Sequence, residues 1–386
     1  MRVLYVAPRY HTNQIPVMKG WQAGGHEVLF ISQFAGTPED YTVLKPIILG
    51  YSRIFECFMK GYACLLCRGQ KSLKKEFDLR TKIGFPPVTK AETYIRKFQP
   101  ELVIVRERSV YNIPFWFACR RKKIPCILYN QSPLWDRRDR DRGLGRRLFL
   151  KLLPRVRMTP VMGQKAPGKE MTPNSVFVPF VMEPRVAPEE KPHFSDGRIQ
   201  ILCVGRYEER KNLFLLLDAF GGLSKEYSLH LTIVGEALDE SQIDYYGRLR
   251  RKVSESGLDQ AVTLHRNFNR EQMYEEYRSA DLFVLPSTRE RASIAQLEAM
   301  SCSLPVICSD TNGSACYVED GRNGRLFRDG DEKDLKNVME TLVRDREGLL
   351  RMGSESFRLT KENYSFDSYY EAIMKCRAEA ARLTGE

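Results

Sequence analysis

Short apolar runs alternate with amphipathic helical patterns along the first half of the chain. The runs have the length of buried strands, and the patterns between them repeat with the period of a helix. The predicted strands cover residues 3–6, 28–32, 101–105 and 125–129, and the predicted helices lie between Pro16 and Gly24, at about 90–97 and at 113–121. This alternation predicts a parallel sheet flanked by helices.

The same alternation restarts in the second half. It predicts strands at 199–204, 229–234, 261–264 and 282–285, with helices at 213–220, 243–254 and 271–277. Between the halves, residues 182–192 contain three prolines and mixed charges, which is typical of a linker. We therefore expect an α/β protein of two Rossmann-like parallel-sheet domains, residues 1–183 and 184–365, that face each other across a cleft.

Composition limits the class of protein. The chain has 386 residues, of which 42% are apolar and 28% charged, so it can bury enough surface to fold as two globular domains. Its apolar runs are shorter than the roughly 18 to 20 residues of a membrane-spanning helix. Ten scattered cysteines suit a reducing compartment, and the Cys64-x-x-Cys67 pair has no second pair to complete a metal site. We expect a cytoplasmic protein.

Charge differs sharply between the two halves. Residues 1–200 hold 35 Lys+Arg and 17 Asp+Glu, a net +18, whereas residues 201–386 hold 26 and 32, a net −6. A basic half favours an anionic partner. Two basic amphipathic stretches, residues 51–75 and 137–157, favour an anionic membrane surface. Nucleic acid is not expected, because the chain has no helix-turn-helix, zinc-finger or RNA-binding signature.

A basic loop follows the first predicted strand of the second half. The sequence Gly205-Arg-Tyr-Glu-Glu-Arg-Lys-Asn212 links that strand to a helix, at the sheet edge where phosphates bind. Arg206 and Lys211 could both reach one diphosphate, since arginine grips phosphate oxygens in pairs and lysine adds a compact charge. The alternative is an ordinary solvated loop.

Two carboxylates follow the last predicted strand, in Pro286-Ser-Thr-Arg-Glu-Arg-Ala-Ser-Ile-Ala-Gln-Leu-Glu298. If a helix starts near Ser293, Glu290 precedes it and Glu298 lies more than one turn inside, so they face different parts of an elongated ligand. Carboxylates accept hydrogen bonds from sugar hydroxyls, and the N–H groups near Ser293 and Ile294 could meet an anion. The alternative is a helix cap made by Glu290 and Ser293, with Glu298 as surface charge.

The order of these motifs resembles that of the retaining nucleotide-sugar glycosyltransferases of family 4, which have the GT-B fold. The likeness runs along most of the second half, which also contains residues 232–235 (TIVG), 277–287 (YRSADLFVLPS), 297–300 (LEAM), 304–307 (LPVI) and 320–324 (DGRNG). In the first half it is weaker and covers residues 1–8, 25–28 and 178–179.

The resemblance implies a function for several residues. Arg206 and Lys211 would neutralise the donor diphosphate, Glu298 would hold the ribose, and Glu290 would contact the transferred sugar. The other implied donor-binding residues are Gly205, Ala292, Ser293 and Ile294. Retention in the family is described as front-face departure and attack, which needs no enzymic nucleophile.

The resemblance also implies substrates and partners. The donor would be a UDP-sugar rather than a GDP-sugar, and the acceptor a lipid-linked or cell-surface glycan at the cytosolic membrane face. The acceptor would bind the first domain and the donor the second. A final helix within residues 366–386 would cross back to the first domain.

Three departures from the family pattern affect the site. Arg291-Ala292-Ser293 replaces a Gly-aromatic-Gly stretch, and the loop at residues 9–14 lacks a glycine pair. The strand ending at residue 129 is followed by Asn130 and Gln131 instead of histidine. The candidate sugar or acceptor contacts in the first domain are therefore His11, Asn13, Asn130 and Gln131.

No metal or other cofactor is expected. The sequences Asp139-Arg-Asp141 and Asp329-Gly-Asp331 have the D-x-D pattern, but the first lies among arginines and the second opens a surface helix. Arg206 and Lys211 would neutralise the leaving diphosphate, as Mg²⁺ does in metal-dependent enzymes. Two other functions stay open: a nucleotide-sugar epimerase or hydrolase of the same fold, and a non-catalytic membrane-bound assembly partner.

Overall fold

The chain forms two compact units. The computed structural model describes residues 1–36, 41–65, 70–106, 109–136, 148, 151–163, 170–288 and 290–385. The first unit contains Met1–Pro160, Lys165–Val181 and Phe366–Glu386, and the second contains Val161–Gln164 and Met182–Ser365. The main division therefore falls after Val181, close to the expected boundary at residue 183.

The first unit is built on a parallel sheet with strand order β3-β2-β1-β4-β5-β7-β9. The strands of this unit, including the short antiparallel pair β6 and β8, are β1 (Arg2–Ala7), β2 (Glu27–Ser32), β3 (Ile47–Ile48), β4 (Leu102–Arg106), β5 (Cys126–Tyr129), β6 (Trp135–Asp136), β7 (Val156–Thr159), β8 (Glu170–Met171) and β9 (Ser175–Phe177). Its helices before the division are α1 (Ile15–Ala23), α2 (Arg53–Leu65), α3 (Gln70–Ile83), α4 (Val88–Phe98) and α5 (Ile113–Arg121). Central strands are apolar throughout because helices cover both faces of the sheet.

The second unit contains a second parallel sheet, with strand order β12-β11-β10-β13-β14-β15. Its strands are β10 (Ile199–Val204), β11 (Leu229–Gly235), β12 (Val262–Arg266), β13 (Leu282–Leu285), β14 (Val306–Ser309) and β15 (Gly324–Phe327). Its helices are α6 (Leu213–Leu223), α7 (Glu240–Glu255), α8 (Arg270–Ser279), α9 (Ile294–Ser301), α10 (Glu332–Arg344) and α11 (Arg346–Asn363). Both sheets confirm the predicted α/β class.

The final helix, α12 (Phe366–Gly385), belongs to the first unit. The hydroxyls of Tyr5 on β1 and Tyr369 on α12 are 2.9 Å apart, and the Trp21 indole donates to the Tyr5 hydroxyl at 2.8 Å. The rings of Trp21 and Phe366 meet edge to face, with centroids 5.3 Å apart. These buried contacts fix the last helix against the sheet.

The segment expected to be a linker is folded against the second unit. The N–H groups of Arg185 and Val186 donate to the carbonyl of Ser301, and Val186 is buried. The Lys191 ammonium is also buried and donates to the carbonyls of Tyr277 and Arg278, at the end of α8. A lysine at a helix carboxyl terminus satisfies orphan carbonyls, so the charged residues here anchor the segment.

Part of the second basic stretch lies outside the described residues. Most of the stretch at 137–157 lies among residues that the structure does not describe, and so does Asp139-Arg-Asp141. Among the helices of the described ranges, none combines the length and the apolar character needed to span a membrane.

Candidate functional site

The predicted phosphate and sugar residues lie at the carboxyl-terminal edge of the second sheet. Loops that follow β10, β11, β12 and β13 surround a cavity of about 460 Å³. The side chains and backbone that line it include Gly205, Arg206, Arg210, Lys211, Glu236, Asn267, Phe268, Met273, Glu290, Ala292, Ser293, Ile294 and Glu298. This edge is where parallel α/β sheets bind ligands.

Lys211 and Glu290 meet in this cavity. The Lys211 ammonium donates to Glu290 Oε2 at 2.5 Å, and the Arg210 guanidinium donates to the same oxygen at 2.6 Å. The side chains of Lys211 and Glu290 are only 10% and 9% exposed. Burial raises the pKa of the Glu290 carboxyl, but the charges and hydrogen bonds of Lys211 and Arg210 outweigh it and lower the pKa. Glu290 is therefore an ionised acceptor.

The loops that carry these residues are joined through their backbones. The N–H of Thr288 donates to the carbonyl of Arg210 at 2.9 Å, and the N–H of Gly313 donates to the carbonyl of Glu290 at 2.8 Å. A Cβ atom at Gly313 would lie 1.6 Å from the Arg291 carbonyl oxygen. Only glycine permits this approach, so Gly313 fixes the loop that carries Glu290.

Arg206 lies at a more open part of the cavity. Its Nε is 3.3 Å from Glu236 Oε2, and both side chains are about half exposed. Arg206 and Lys211 thus line one cavity, but only Lys211 is buried.

Glu298 lies on α9 and has its own partners. The Tyr277 hydroxyl donates to Glu298 Oε2 at 3.1 Å, and Arg185 Nη2 is 3.6 Å from Oε1. None of these groups belongs to the Lys211 and Glu290 cluster, so the two carboxylates have separate surroundings.

The start of α9 differs from the expectation in two ways. The N–H of Ser293 donates to the Ser314 hydroxyl at 2.5 Å, so it is not the free donor that was expected. Ser314 reaches it because the turn after β14 packs against the helix start. Ser293 still lines the cavity, and its contact with a donor stays a prediction. The alternative of a cap by Glu290 and Ser293 is wrong, because Glu290 binds Lys211 and Ser293 makes no side-chain capping bond.

In the first unit, His11 and Asn13 lie in the loop after β1. Burial and the charges of Arg106 and Arg9 lower the pKa of His11 from 6.5 to about 3. The neutral imidazole accepts a hydrogen bond from Arg9 Nε at 3.0 Å. Asn13 lines a narrow cavity of about 50 Å³ together with Arg106 and Tyr129.

Asn130 serves the interior of the first unit. It is 3% exposed, and its Oδ1 accepts from Arg157 Nη1 at 3.2 Å and from the N–H of Ser132 at 3.1 Å. The Asn130 oxygen thus serves a buried arginine, whereas its Nδ2 is buried and has no hydrogen-bond partner among the described residues, so the expectation that Asn130 hydrogen-bonds a sugar stays a prediction. Gln131, the next residue, is half-buried.

A family model decides the nature of the second unit. Residues 187–358 match the model of the family described as Glycosyl transferases group 1. The second unit contains a group 1 glycosyl transferase domain. This match confirms the resemblance drawn from the motifs, and it contains every predicted donor-site residue from Gly205 to Glu298.

Parts of several curated relatives are similar in sequence to part of this chain. The D-inositol 3-phosphate glycosyltransferase of Arthrobacter sp. (strain FB24) is 30% identical over 152 residues, which are 39% of this chain and 35% of the relative. The mannosylfructose-phosphate synthase of Agrobacterium fabrum is 30% identical over 169 residues, which are 42% and 37%. The matched part thus spans little more than a third of each of these relatives.

The fold of the whole chain is similar to that of solved GT-B structures. Anabaena Alr3699/HepE in complex with UDP gives a TM-score of 0.69 at 14% identity, covering 98% of this chain and 100% of that one. Sucrose-phosphate synthase from Thermosynechococcus elongatus gives 0.67 at 15% identity and covers both chains completely. These likenesses confirm the GT-B fold.

Several cavity residues of the group 1 domain were not predicted. Arg210 lies in the predicted basic loop, but its contact with Glu290 joins residues 80 positions apart. Asn267, Phe268 and Met273 follow β12, a strand of the same sheet. That position was the one feature of the sequence that could have indicated a place in the cavity. Their side chains do not form a pattern that distinguishes them from an ordinary loop.

The two acidic D-x-D patterns have different outcomes. Asp331 caps α10 by accepting from the N–H of Asp334 at 3.0 Å, and Asp329 Oδ2 accepts from the Thr311 hydroxyl at 2.5 Å. Asp139-Arg-Asp141 lies outside the described residues. Within the part of the chain that the structure describes, no group of three His, Cys, Asp or Glu side chains is arranged to hold a metal ion.

Proposed function

We propose that the protein is a glycosyltransferase that moves a sugar from a nucleotide-diphosphate donor to a glycan, with retention of anomeric configuration and without a metal ion. The observation that carries this proposal is the contact of Arg210 with the largely buried pair Lys211 and Glu290 in the cavity of the group 1 domain. It combines a cation for phosphate with an ionised acceptor for hydroxyl groups.

Lys211 and Arg206 stabilise the departing diphosphate. The Lys211 ammonium has three donors and an adjacent carboxylate, so it can bind a phosphate oxygen while it stays charged. Arg206 lies at the open part of the cavity, where a second phosphate would reach its guanidinium. Fixed cations that meet developing negative charge lower the barrier for departure of the nucleotide diphosphate.

Glu298 and Glu290 bind hydroxyl groups at different parts of the donor. Glu298 holds the ribose, and Glu290 accepts from hydroxyls of the transferred sugar. The acceptor hydroxyl attacks from the face that the diphosphate leaves, and the leaving phosphate takes its proton. No side chain of the protein is required as nucleophile on this route.

A UDP-sugar is the favoured donor. HepE, which shares the fold, has been crystallised with UDP and with UDP-glucose, and a S. aureus TarM mutant has been crystallised with UDP. The cavity also contains Phe268 and Met273, apolar side chains suited to a planar base.

The acceptor is a lipid-linked or cell-surface glycan, bound by the first unit at the cytosolic membrane face. The support is the net +18 of residues 1–200, which attracts an anionic membrane surface. The protein would then be cytoplasmic and peripheral to the membrane.

Calorimetric titration with UDP, GDP and ADP, in EDTA and in Mg²⁺, tests the donor site. We expect UDP to bind equally in both, and Lys211→Met to weaken binding by about tenfold or more, as for loss of a charged hydrogen bond. Lys333→Met, at an exposed lysine on α10, is the matched control and should bind normally.

Each other result of this titration overturns a defined part of the proposal. Binding that requires Mg²⁺ overturns the metal-independent mechanism, and a preference for GDP overturns the assigned base. No binding by any nucleotide overturns the donor site and favours the non-catalytic alternative.

A further inference from the structure

Helix α2 exposes apolar side chains on one side while it packs into the first unit on another. Phe55 and Met59 are 7% and 0% exposed and face the protein interior. Ile54 and Phe58 are 85% and 54% exposed. Residues four apart in a helix lie one above the other, so Ile54 and Phe58 form a continuous apolar strip towards solvent.

A third exposed apolar residue lies near the start of α2. The carbonyl of Phe85 accepts from the N–H of Ser52 at 2.8 Å, which places Phe85 beside the start of α2. Phe85 is 37% exposed. We call Ile54, Phe58 and Phe85 the α2 patch. Large apolar side chains that cluster on a surface, unlike single ones, mark a site of interaction.

The charges around the α2 patch are basic. Arg53 and Lys60 lie on the same helix and are exposed. The acidic residue of the described helix, Glu56, is bound by Arg80 at 3.0 Å, so its charge is neutralised. An apolar patch with exposed cations at its edge is complementary to a surface of anionic headgroups over apolar chains.

We propose that the α2 patch docks on an anionic phospholipid bilayer. Ile54, Phe58 and Phe85 enter the boundary between headgroups and acyl chains, while Arg53 and Lys60 pair with lipid phosphates. This inference deepens the proposed membrane partner by assigning the surface that binds it. It does not depend on sugar transfer, so it can fail or hold separately from the proposed activity.

Flotation of the full chain with phosphatidylcholine vesicles, with and without about one third phosphatidylglycerol, tests the docking surface. We expect the anionic vesicles to bind about tenfold better, and salt to weaken binding. The double variant Ile54→Ser/Phe58→Ser should lose about tenfold in binding to the anionic vesicles. Leu238→Ser in the second unit, at a side chain 72% exposed, is the control and should bind normally.

Circular dichroism, thermal unfolding and light scattering complete this test. A wild-type spectrum and unfolding midpoint show that the double variant is folded. Unchanged vesicle binding by the folded double variant overturns the proposal. The proposal is also overturned if the wild type does not bind vesicles but forms dimers that the double variant does not form. That result would assign the patch to a second copy of the chain.

An independent observation concerns Arg210. Its Nη1 donates to Glu290 Oε2 at 2.6 Å, and its Nη2 is 2.5 Å from Glu208 Oε1. Its carbonyl accepts from the N–H of Thr288, two residues before Glu290. Both ends of Arg210 are thus held, and its guanidinium has a fixed place beside the Glu290 carboxylate.

We infer that Arg210 is a positioning residue for Glu290. Lys211 and Arg210 share one oxygen of Glu290, so Arg210 keeps that carboxylate ionised and oriented when Lys211 turns to the donor diphosphate. This inference rests on the proposed function. A planar guanidinium suits this role because it holds a carboxylate in one orientation.

This role is tested in Arg210→Gln and Arg210→Lys. The measurement is the steady-state rate of UDP release, with the UDP-sugar on which the wild type is most active. For Arg210→Gln we expect kcat to fall by about tenfold or more, with KM and UDP affinity changed by less than about threefold. Because Arg210 lowers the pKa of Glu290, the acidic limb of the kcat profile should move to higher pH. Arg210→Lys should restore the profile in part.

Other outcomes separate this inference from the proposed function. A parallel loss of UDP affinity would mean that Arg210 binds the diphosphate, and an unchanged acidic limb would mean that it only stabilises the loops. Either result overturns the inference while the donor site stands. A wild type that binds no UDP overturns both.

Discussion

The Lys211 ammonium and the Glu290 carboxylate meet at 2.5 Å although 79 positions separate them in the chain. Topology explains the contact. Lys211 follows β10 and Glu290 follows β13, and these strands are parallel neighbours in the second sheet. Their carboxyl ends lie at one edge, so the two loops meet there. This ion pair therefore places the Lys211 ammonium where the proposed donor diphosphate would bind.

Removing one member of this pair should destabilise the protein more than removing both. Lys211→Met leaves a buried carboxylate with Arg210 alone, and we expect a loss of about 2 kcal/mol in the free energy of unfolding. The double variant Lys211→Met/Glu290→Gln should recover most of that loss, because it removes the buried carboxylate together with its ammonium partner. Denaturant unfolding of the wild type, both single variants and the double variant measures the coupling. Equal losses in the single and double variants would contradict the pairing.

His11 should stay neutral in mildly acidic solution. Its pKa is lowered from 6.5 to about 3 by burial and by the charges of Arg106 and Arg9. Between these two pH values, His11 is protonated in the unfolded chain but not in the folded chain. The free energy of unfolding therefore decreases as the pH drops below 6.5. An NMR pH titration of the His11 imidazole should show no transition near pH 6.5, and Arg9→Gln should raise the pKa of His11. Titration of wild-type His11 near 6.5 would contradict this environment.

The contact between α1 and α12 should make Gly20 intolerant of a side chain. A Cβ atom there would lie 2.0 Å from the Phe366 ring, whereas a Cβ at Gly61 on α2 would meet nothing within 4 Å. Gly20→Ala should therefore destabilise the protein by about 1 to 3 kcal/mol, as overpacking does. Gly61→Ala, also in a helix, should be neutral or slightly stabilising. Thermal unfolding compares them, and equal effects would contradict the packing of α12.

Glu298 should distinguish ribose from deoxyribose. If its carboxylate accepts from ribose hydroxyls, wild-type protein should bind UDP about tenfold more tightly than 2′-deoxy-UDP, as for a lost charged hydrogen bond. Glu298→Gln should weaken UDP binding and reduce this preference. Tyr277→Phe, which removes the hydroxyl that donates to Glu298, should have a smaller effect in the same direction. A preference that survives in Glu298→Gln would assign the ribose contact to another residue.

Pattern alone predicted four strands of each sheet and the loops that carry the candidate site residues, because both depend on local sequence. The run at Ile199–Val204 is apolar throughout, and the basic and acidic loops follow strands directly. The contacts of Ser293 with Ser314 and of Asn130 with Arg157 depend on tertiary packing between distant segments, so the sequence could not predict either contact. Lys191 looked like linker charge because its helix-end partners, Tyr277 and Arg278, lie far along the chain.

Transfer of labelled sugar is the most direct test of the central claim. The full chain would be incubated in EDTA with a panel of sugar-labelled UDP-sugars and a bacterial lipid extract, and the product linkage would be assigned by NMR. We expect label in a glycolipid, with the anomeric configuration of the donor retained, and loss of transfer in Lys211→Met and Glu290→Gln but not in Lys333→Met. Free sugar as the sole labelled product, or an inverted linkage, would contradict the account.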